Sequence, residues 1–379
     1  MKIIKRHLQD IISDKLIPGK VCLLFGTRRV GKTFLIKEVE KEFSSKTLFL
    51  NGDDYTTLAM LEERSASNYR KIFENIDLAI IDEAQNIPEI GFKLKLMVDE
   101  LPGLRILATG SSSFDLLNIS GEPLTGRSFN YHLYPFAQCE MSVLENSLQT
   151  MENLEERLIF GSYPETINFQ TTGEKKEFLL NLVQSYLLKD ILSLNGIRNS
   201  VKMHDILKML AFQVGKEVSV SELGNKVGLS KNTVEKYMDL LSKVFIIYPL
   251  KAFCRNPRKE IAKSSKWYFT DTGVRNAVIS AFSPLNLRND TGELWENYVI
   301  SERIRFNAYR KKNILHYFWR TYDMQEIDLI EDNEGKIAAY EIKWKEKTVR
   351  CPGFFNKAYP DAEFNVINRN NYTEFITFA

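Results

Sequence analysis

Three groups of residues in this 379-residue chain have the types and spacing to do chemistry. The first is Gly26, Gly31, Lys32 and Thr33 in "GTRRVGKT", a G-x-x-x-x-G-K-T run. Glycines so placed let backbone N–H groups curl round a phosphate without Cβ clashes. Lys32 is then in reach of β- and γ-phosphate oxygens, and the Thr33 hydroxyl can hold Mg²⁺. The second group is Asp82-Glu83, closing the apolar run "LAII" about fifty residues after the glycine loop. A carboxylate at a strand tip binds Mg²⁺ through water, and the next one orients an attacking water. The third is Asp328 with Glu341 and Lys343 in "EIDLIEDNEGKIAAYEIKWKEK". Two carboxylates and a lysine on one hairpin suit metal-dependent phosphodiester cleavage. The same charges also suit the wet face of a surface hairpin.

These residues need elements to hold them. Val21 to Phe25 is an apolar run long enough for a buried parallel strand, and Phe34, Leu35, Val39 and Phe43 follow at helical spacing. Strand, glycine turn and helix N-terminus are the context that a phosphate cradle requires. Leu78 to Ile81 predicts a second strand, and "LRILATGSSS" a third, ending in Thr109, Ser111 and Ser112. A polar residue at that tip can sense a γ-phosphate, or the serines can cap a helix. Strands alternating with helical segments predict a parallel sheet with crossover helices. Ahead of them, Ile4, Leu8, Ile11, Ile12 and Leu16 mark an amphipathic helix too often broken by charge for a signal peptide.

Composition sets bounds on the rest. The length predicts two or three domains. A net charge of +2 excludes a globally basic nucleic-acid binder, so any such surface is local. The four cysteines are far apart with no C-x-x-C pair, which argues against a disulfide framework or zinc site and fits a reducing cytosol. Four unclustered histidines argue against a histidine metal site, and no apolar run approaches the ~20 residues of a membrane span.

From about residue 137 apolar residues recur at helical spacing, interrupted at Gly161 and Pro164, and "EFLLNLVQSYLLKDILSL" predicts a long amphipathic helix. Ser219 to Glu222 fits a capping box, Gly228 a short turn, and Ser230 a second cap. The helix after it buries Val234, Tyr237, Met238 and Leu241, leaving Lys231, Asn232, Glu235 and Lys236 outward. With the strands "VFIIYPL" and "KWYFTDTG" this predicts a winged helix-turn-helix. Its wing would be basic, through Arg255, Arg258, Lys259, Lys263 and Lys266, and able to meet phosphates. Glu235 would repel DNA, and winged helices also dock proteins.

In the last hundred residues, a two-residue loop at Glu334-Gly335 pairs Asn333 with Lys336 and sets Asp328 opposite Glu341. Glu341 and Lys343 share one face, while Tyr340, Ile342 and Trp344 take the other. Like charges side by side across a strand pair need compensation, for which a divalent cation is the natural candidate.

"GTRRVGKT", "LAIIDEAQ", "LATGSSS" and "LTGRSFNYHLYPF", in this order, resemble the AAA-type P-loop ATPases common in prokaryotes, of the AAA_14/DUF4143 type, whose C-terminal part is nuclease-like. The resemblance implies ATP and Mg²⁺ as ligands, with Gly26, Thr27, Arg28, Arg29, Val30, Gly31, Lys32, Thr33 and Phe34 round the phosphates. It implies Thr33 and Asp82 on the metal and Lys32, Asp82 and Glu83 in hydrolysis. Arg127 would be a charged residue near a γ-phosphate, its own subunit's or a neighbour's. The spacing from Asp328 to Glu341-Ile342-Lys343 resembles the PD-(D/E)xK nuclease core, which draws a further glutamate from the preceding helix. Glu296 matches, with Glu293 as an alternative, and Asp323 and Glu326 lie nearby.

The expected fold is a P-loop α/β parallel sheet at 1–140, then a helical linker at 141–200, a winged helix at 201–283 and a restriction-endonuclease-like α+β domain at 284–379. The expected function is an ATPase acting on or with DNA through the winged helix and a nuclease-like domain whose cutting the sequence leaves undecided, in the cytoplasm, alone or with a homo-oligomeric or protein partner. A nucleotide-gated switch or scaffold without cutting is the alternative, and a small-molecule kinase a third reading.

Overall fold

A computed structural model of the protein describes residues 4–43, 46–111, 124–187, 199–255 and 264–378. The chain forms two compact units. One runs to Tyr134 and includes Lys243–Phe245; the other takes Pro135–Ser242 and the chain from Ile246 onward.

The first unit is built on five strands: β1 (Val21–Phe25), β2 (Thr47–Asn51), β3 (Leu78–Asp82), β4 (Arg105–Gly110) and β5 (Ser128–His132). They run parallel in the order β2-β3-β4-β1-β5. Strands β1 and β3 are buried throughout, as apolar runs covered on both faces should be. Parallel pairing collects the carboxyl ends of all five at one edge. There Phe25 pairs with Gly110, and Ile81 with Ala108, which brings the glycine loop, Asp82-Glu83 and Thr109 together. In the helix Lys32–Glu42 the packed stripe is Leu35, Ile36 and Val39. Phe34, expected on that stripe, is exposed, and Phe43 is half-buried. The N-terminal helix His7–Lys15 is as expected, with Ile4, Leu8, Ile11, Ile12 and Leu16 all buried.

The second unit begins with short helices between Gln138 and Asn181, broken at Gly161 and restarted at Pro164. The long helix expected at 177–194 is observed as an α-helix to Asn181 and a π-helical turn Leu182–Leu187; residues 188–198 lie outside the described residues. Helices Ser200–Phe212, Val220–Val227 and Lys231–Lys243 follow. Ser219 caps the second of these, Gly228 closes it at φ 68°, and Ser230 accepts a bond from the Thr233 N–H.

Its sheet has six strands: β6 (Ile247–Ala252), β7 (Ser265–Phe269), β8 (Leu315–Arg320), β9 (Glu326–Asn333), β10 (Lys336–Ile342) and β11 (Glu363–Ile367). The order is β11-β10-β9-β8-β6-β7. β6 pairs with β8 across the expected boundary at 283/284, so the strands assigned to a wing and those of the C-terminal region are one sheet. The two units part between Tyr134 and Pro135, close to the expected boundary at 140.

The nineteen-residue helix Thr291–Tyr309 is bonded to this sheet by Asn297, which meets the Phe269 N–H and carbonyl on β7, while Trp295 and Tyr298 pack against Tyr372. Glu331 on β9 fastens the helix. Its carboxylate accepts a bidentate pair from Arg303 at 2.7 and 2.8 Å and a further bond from Asn307. Burial alone would raise the Glu331 pKa, but His316 and Arg303 outweigh it and hold it at about 2. That clamp fixes the helix bearing Glu296 against the strand bearing Asp328.

Candidate functional site

The phosphate loop begins where β1 ends. A Cβ on Gly26 would lie 2.5 Å from the Leu133 carbonyl oxygen, so this first glycine is required by close approach. Arg29 and Gly31 take left-handed φ values of 63° and 96°, which turn the chain into the helix that starts at Lys32. The Lys32 ammonium is buried and donates to the carbonyls of Gly26 and Thr27 at 2.9 and 3.1 Å. It is thereby folded over the loop that it would share with a phosphate chain.

Thr33 and Asp82 meet. The Thr33 hydroxyl donates to Asp82 Oδ2 at 2.8 Å, which joins the glycine loop to the tip of β3. Asp82 Oδ1 accepts a bond from the Thr109 hydroxyl at the end of β4. The Glu83 N–H lies 3.2 Å from both Asp82 Oδ1 and Thr109 Oγ1. Those bonds hold Glu83 at φ 48°, ψ 41°, a left-handed conformation uncommon for any residue but glycine. Gly52, at the end of β2, is needed for the same turn, since its Cβ would stand 2.2 Å from the Glu83 carbonyl oxygen. The Glu83 carboxylate accepts a bond from Gln85 Nε2 at 2.5 Å, and Gln85 also reaches Ser111 Oγ at 3.3 Å.

The expected residues thus divide. Lys32, Thr33, Asp82, Glu83, Thr109 and Ser111 converge on one sheet edge, and Ser112 lies outside the described residues. Thr109 spends its hydroxyl on Asp82 and the Glu83 amide. Arg127 is elsewhere. Its carbonyl accepts from the Val21 N–H, and its side chain pairs with Asp99 at 2.8 Å. That is the amino end of β1, ~13 Å of strand from the glycine loop. Arg127 therefore takes no part in its own chain's site.

In the second unit Glu334 and Gly335, with φ 53° and 92°, make the expected two-residue turn, and Asn333 pairs with Lys336. The register continues to put Asp328 beside β10, where its Oδ2 accepts from the Ile342 N–H at 2.8 Å and from Lys343 at 3.3 Å. Lys343 also bonds Glu341 at 2.6 Å. Glu296 reaches the same cluster from its helix, accepting a bond from the Tyr268 hydroxyl at 2.6 Å. Glu293 instead faces Lys216 at 3.5 Å, and Asp323 is exposed in the turn before β9.

Lys266 is the residue that sequence reasoning misplaced. Expected on an exposed basic wing, it is buried, with its ammonium against Glu326, 3.5 Å from Glu296 and 3.9 Å from Asp328. Of the other wing residues, Arg255 is exposed and stacks on Phe253, while Arg258, Lys259 and Lys263 lie outside the described residues. Burial disfavours the Lys266 charge, yet Glu296, Asp328 and Glu326 hold its pKa above the ordinary lysine value. Burial pushes Glu296 up to about 7, with Lys266 opposing the rise and Asp328 adding to it. Glu341 is raised by burial and by Asp328. Two signals for this existed in the sequence: Lys266 and Tyr268 are two apart on one strand and so share a face, and Glu326 and Asp328 do likewise.

With this geometry in view, the chain can be set beside known proteins. The profile described as "AAA domain" matches residues 18–142. Two profiles described as domains of unknown function match 151–286 (DUF8612) and 291–371 (DUF4143). The uncharacterized protein Rv2008c of Mycobacterium tuberculosis is 28% identical, covering 90% of this chain and 74% of its own. The uncharacterized protein MJ1544 of Methanocaldococcus jannaschii is 24% identical, covering 97% and 84%. Among solved structures, the Walker-type ATPase paby2304 of Pyrococcus abyssi is 17% identical, over 73% of this chain and 96% of that one, with a TM-score of 0.48. No helix among the described residues is long and apolar enough to cross a membrane.

The shared use of Thr109 yields a prediction. Thr109→Val removes a hydroxyl that both donates to Asp82 and accepts from Glu83, so, if the site turns over ATP, the rate should fall on the order of 10- to 100-fold while nucleotide affinity changes far less. Steady-state hydrolysis alongside equilibrium binding checks this; unchanged turnover would remove Thr109 from the site.

Proposed function

We propose that the first unit hydrolyses ATP with Mg²⁺. The observation that carries this reading is the 2.8 Å bond between Thr33 and Asp82, which brings the two expected metal-holding groups together beside the Lys32 ammonium. A hydroxyl and a carboxylate are oxygen donors of the kind that magnesium takes, so the residues present fit the ion. When bound, Mg²⁺ neutralises charge on the β- and γ-phosphates. Main-chain amides from Gly26 to Thr33 grip the phosphate oxygens. Lys32 exchanges the Gly26 and Thr27 carbonyls for the β- and γ-phosphates, and Asp82 stays fixed by Thr109. Glu83, held next to Asp82 by the left-handed turn, orients the attacking water and takes its proton. Gln85 restrains the Glu83 carboxylate and must release it for that role.

For the second unit we infer a winged-helix and nuclease-like region that acts on or with DNA. The short turn between helices Val220–Val227 and Lys231–Lys243 supports it, as do the β6–β7 hairpin and the placement of Glu296, Asp328, Glu341 and Lys343. A second reading, a nucleotide-gated scaffold for a protein partner, is favoured by one feature. The outward residues of helix Lys231–Lys243 include Lys231 and Lys236 but also Glu235 and Asp239, so the face carries no net charge, and Lys231 is paired with Glu235 at 3.7 Å.

Two experiments test these readings. Lys32→Ala should lose ATP binding and turnover, while Glu83→Gln should keep binding and lose at least ~100-fold in turnover; wild-type rates in both variants would end the ATPase reading. Affinity for a 30-base-pair duplex, measured by fluorescence anisotropy, should fall about 10-fold or more between low and physiological salt if the region meets DNA phosphates. No binding even at low salt would leave the scaffold reading in its place.

A further inference from the structure

The nuclease-like reading implies a divalent cation among Glu296, Asp328 and Glu341, and the side chains present do not fit one. Such an ion needs several carboxylate oxygens turned inward at about 2.0–2.6 Å from a common centre. Here each carboxylate already faces a lysine of the chain. Asp328 Oδ2 is taken by the Ile342 N–H and Lys343, and its Oδ1 faces Lys266. Glu296 Oε1 is taken by the Tyr268 hydroxyl and faces Lys266. Glu326 is in contact with Lys266, and Glu341 with Lys343. Among the described residues no group of three or more acidic, histidine or cysteine side chains is arranged to hold a metal ion.

What stands among these carboxylates is Lys266. Its side chain is 3% exposed and comes from β7, at the far edge of the sheet from β10. The ammonium also lies 5.5 Å from the centre of the Phe318 ring, a further favourable setting for a buried cation. Three carboxylates, from a helix and from β9, surround one monovalent charge that the chain itself supplies. A lysine carried on the same covalent chain needs no uptake from solution, and its positive charge repels any divalent ion approaching the same oxygens.

We infer that Lys266 fills the cation position of this cluster, so that the C-terminal region of this chain takes up no divalent ion there and cleaves no phosphodiester through one. The inference rests on the nuclease-like reading of this region, and it makes the region a part that holds its partner without cutting it. Removing the ammonium should then leave uncompensated buried carboxylates and open the place to a metal.

The test is thermal unfolding without nucleotide, so the ATPase reading and its failure do not enter. Wild-type protein should unfold within about 1 °C of the same temperature in EDTA and in millimolar Mn²⁺. Lys266→Met should unfold about 10 °C lower in EDTA and recover a large part of that loss in Mn²⁺. Adding Glu296→Gln and Asp328→Asn to Lys266→Met should restore stability without metal and abolish the response. Wild-type protein should leave supercoiled plasmid intact with either Mg²⁺ or Mn²⁺. A Mn²⁺ shift or plasmid nicking by wild-type protein that disappears in Asp328→Asn would overturn the inference. So would a folded Lys266→Met variant that gains nothing from Mn²⁺. If Lys266→Met does not fold, the wild-type titration and plasmid assay decide alone.

Discussion

An ammonium group taken out of water must be surrounded by oxygen, and both candidate sites are organised round one. Lys32 lies over its own glycine loop, bonded to the carbonyls of Gly26 and Thr27. Those are neutral dipoles, and phosphate oxygens can replace them with a gain in charge–charge attraction. Lys266 lies among Glu296, Glu326 and Asp328, which are full charges. Breaking into that set would strand a buried cation or buried anions, at a cost of several kcal/mol. One lysine is therefore held by partners that a ligand can displace, and the other by partners that it cannot easily leave.

The same distinction separates the two acidic sets. Asp82 is held by hydroxyls, Thr33 on one oxygen and Thr109 on the other. Hydroxyls can turn to serve as donors or as metal ligands, so the pair Thr33–Asp82 can open round an ion without leaving a charge unmet. Asp328 and Glu341 are held by Lys343, and Glu326 and Glu296 face Lys266. These are fixed positive charges, and nothing about them makes room for another. The proposed roles, energy use in the first unit and holding without cutting in the second, rest on that one difference.

Much of this was legible in the sequence because it depends on local backbone demands. The glycine loop, the strand before it and Asp82-Glu83 at the tip of β3 could be placed because a phosphate cradle needs them adjacent in sequence or at a strand end. The β9–β10 register could be read from Glu334-Gly335, since a two-residue turn leaves only one pairing. Glu296 came only from the resemblance to the PD-(D/E)xK core, with Glu293 as the alternative. The parts that could not be read depend on partners distant in sequence. The resemblance alone puts Arg127 near a phosphate; without β5, which the sequence reading lacks, the end of the sheet on which Arg127 falls cannot be known. Edge strand β2 was missed for its short, half-exposed pattern. Lys266 sits in a cluster of basic residues, and only the pairing of β6 with β8 turns that strand's inner face toward Glu296 and Asp328.

The proposed function requires the first unit to grip a triphosphate through Lys32 and a magnesium ion held between Thr33 and Asp82. Isothermal titration calorimetry of the folded wild-type chain with ATP, in Mg²⁺ and again in EDTA, tests it most directly. A saturable one-site isotherm in Mg²⁺ that weakens markedly in EDTA is the expected result. A flat trace in both, from protein whose circular dichroism shows it folded, would contradict it.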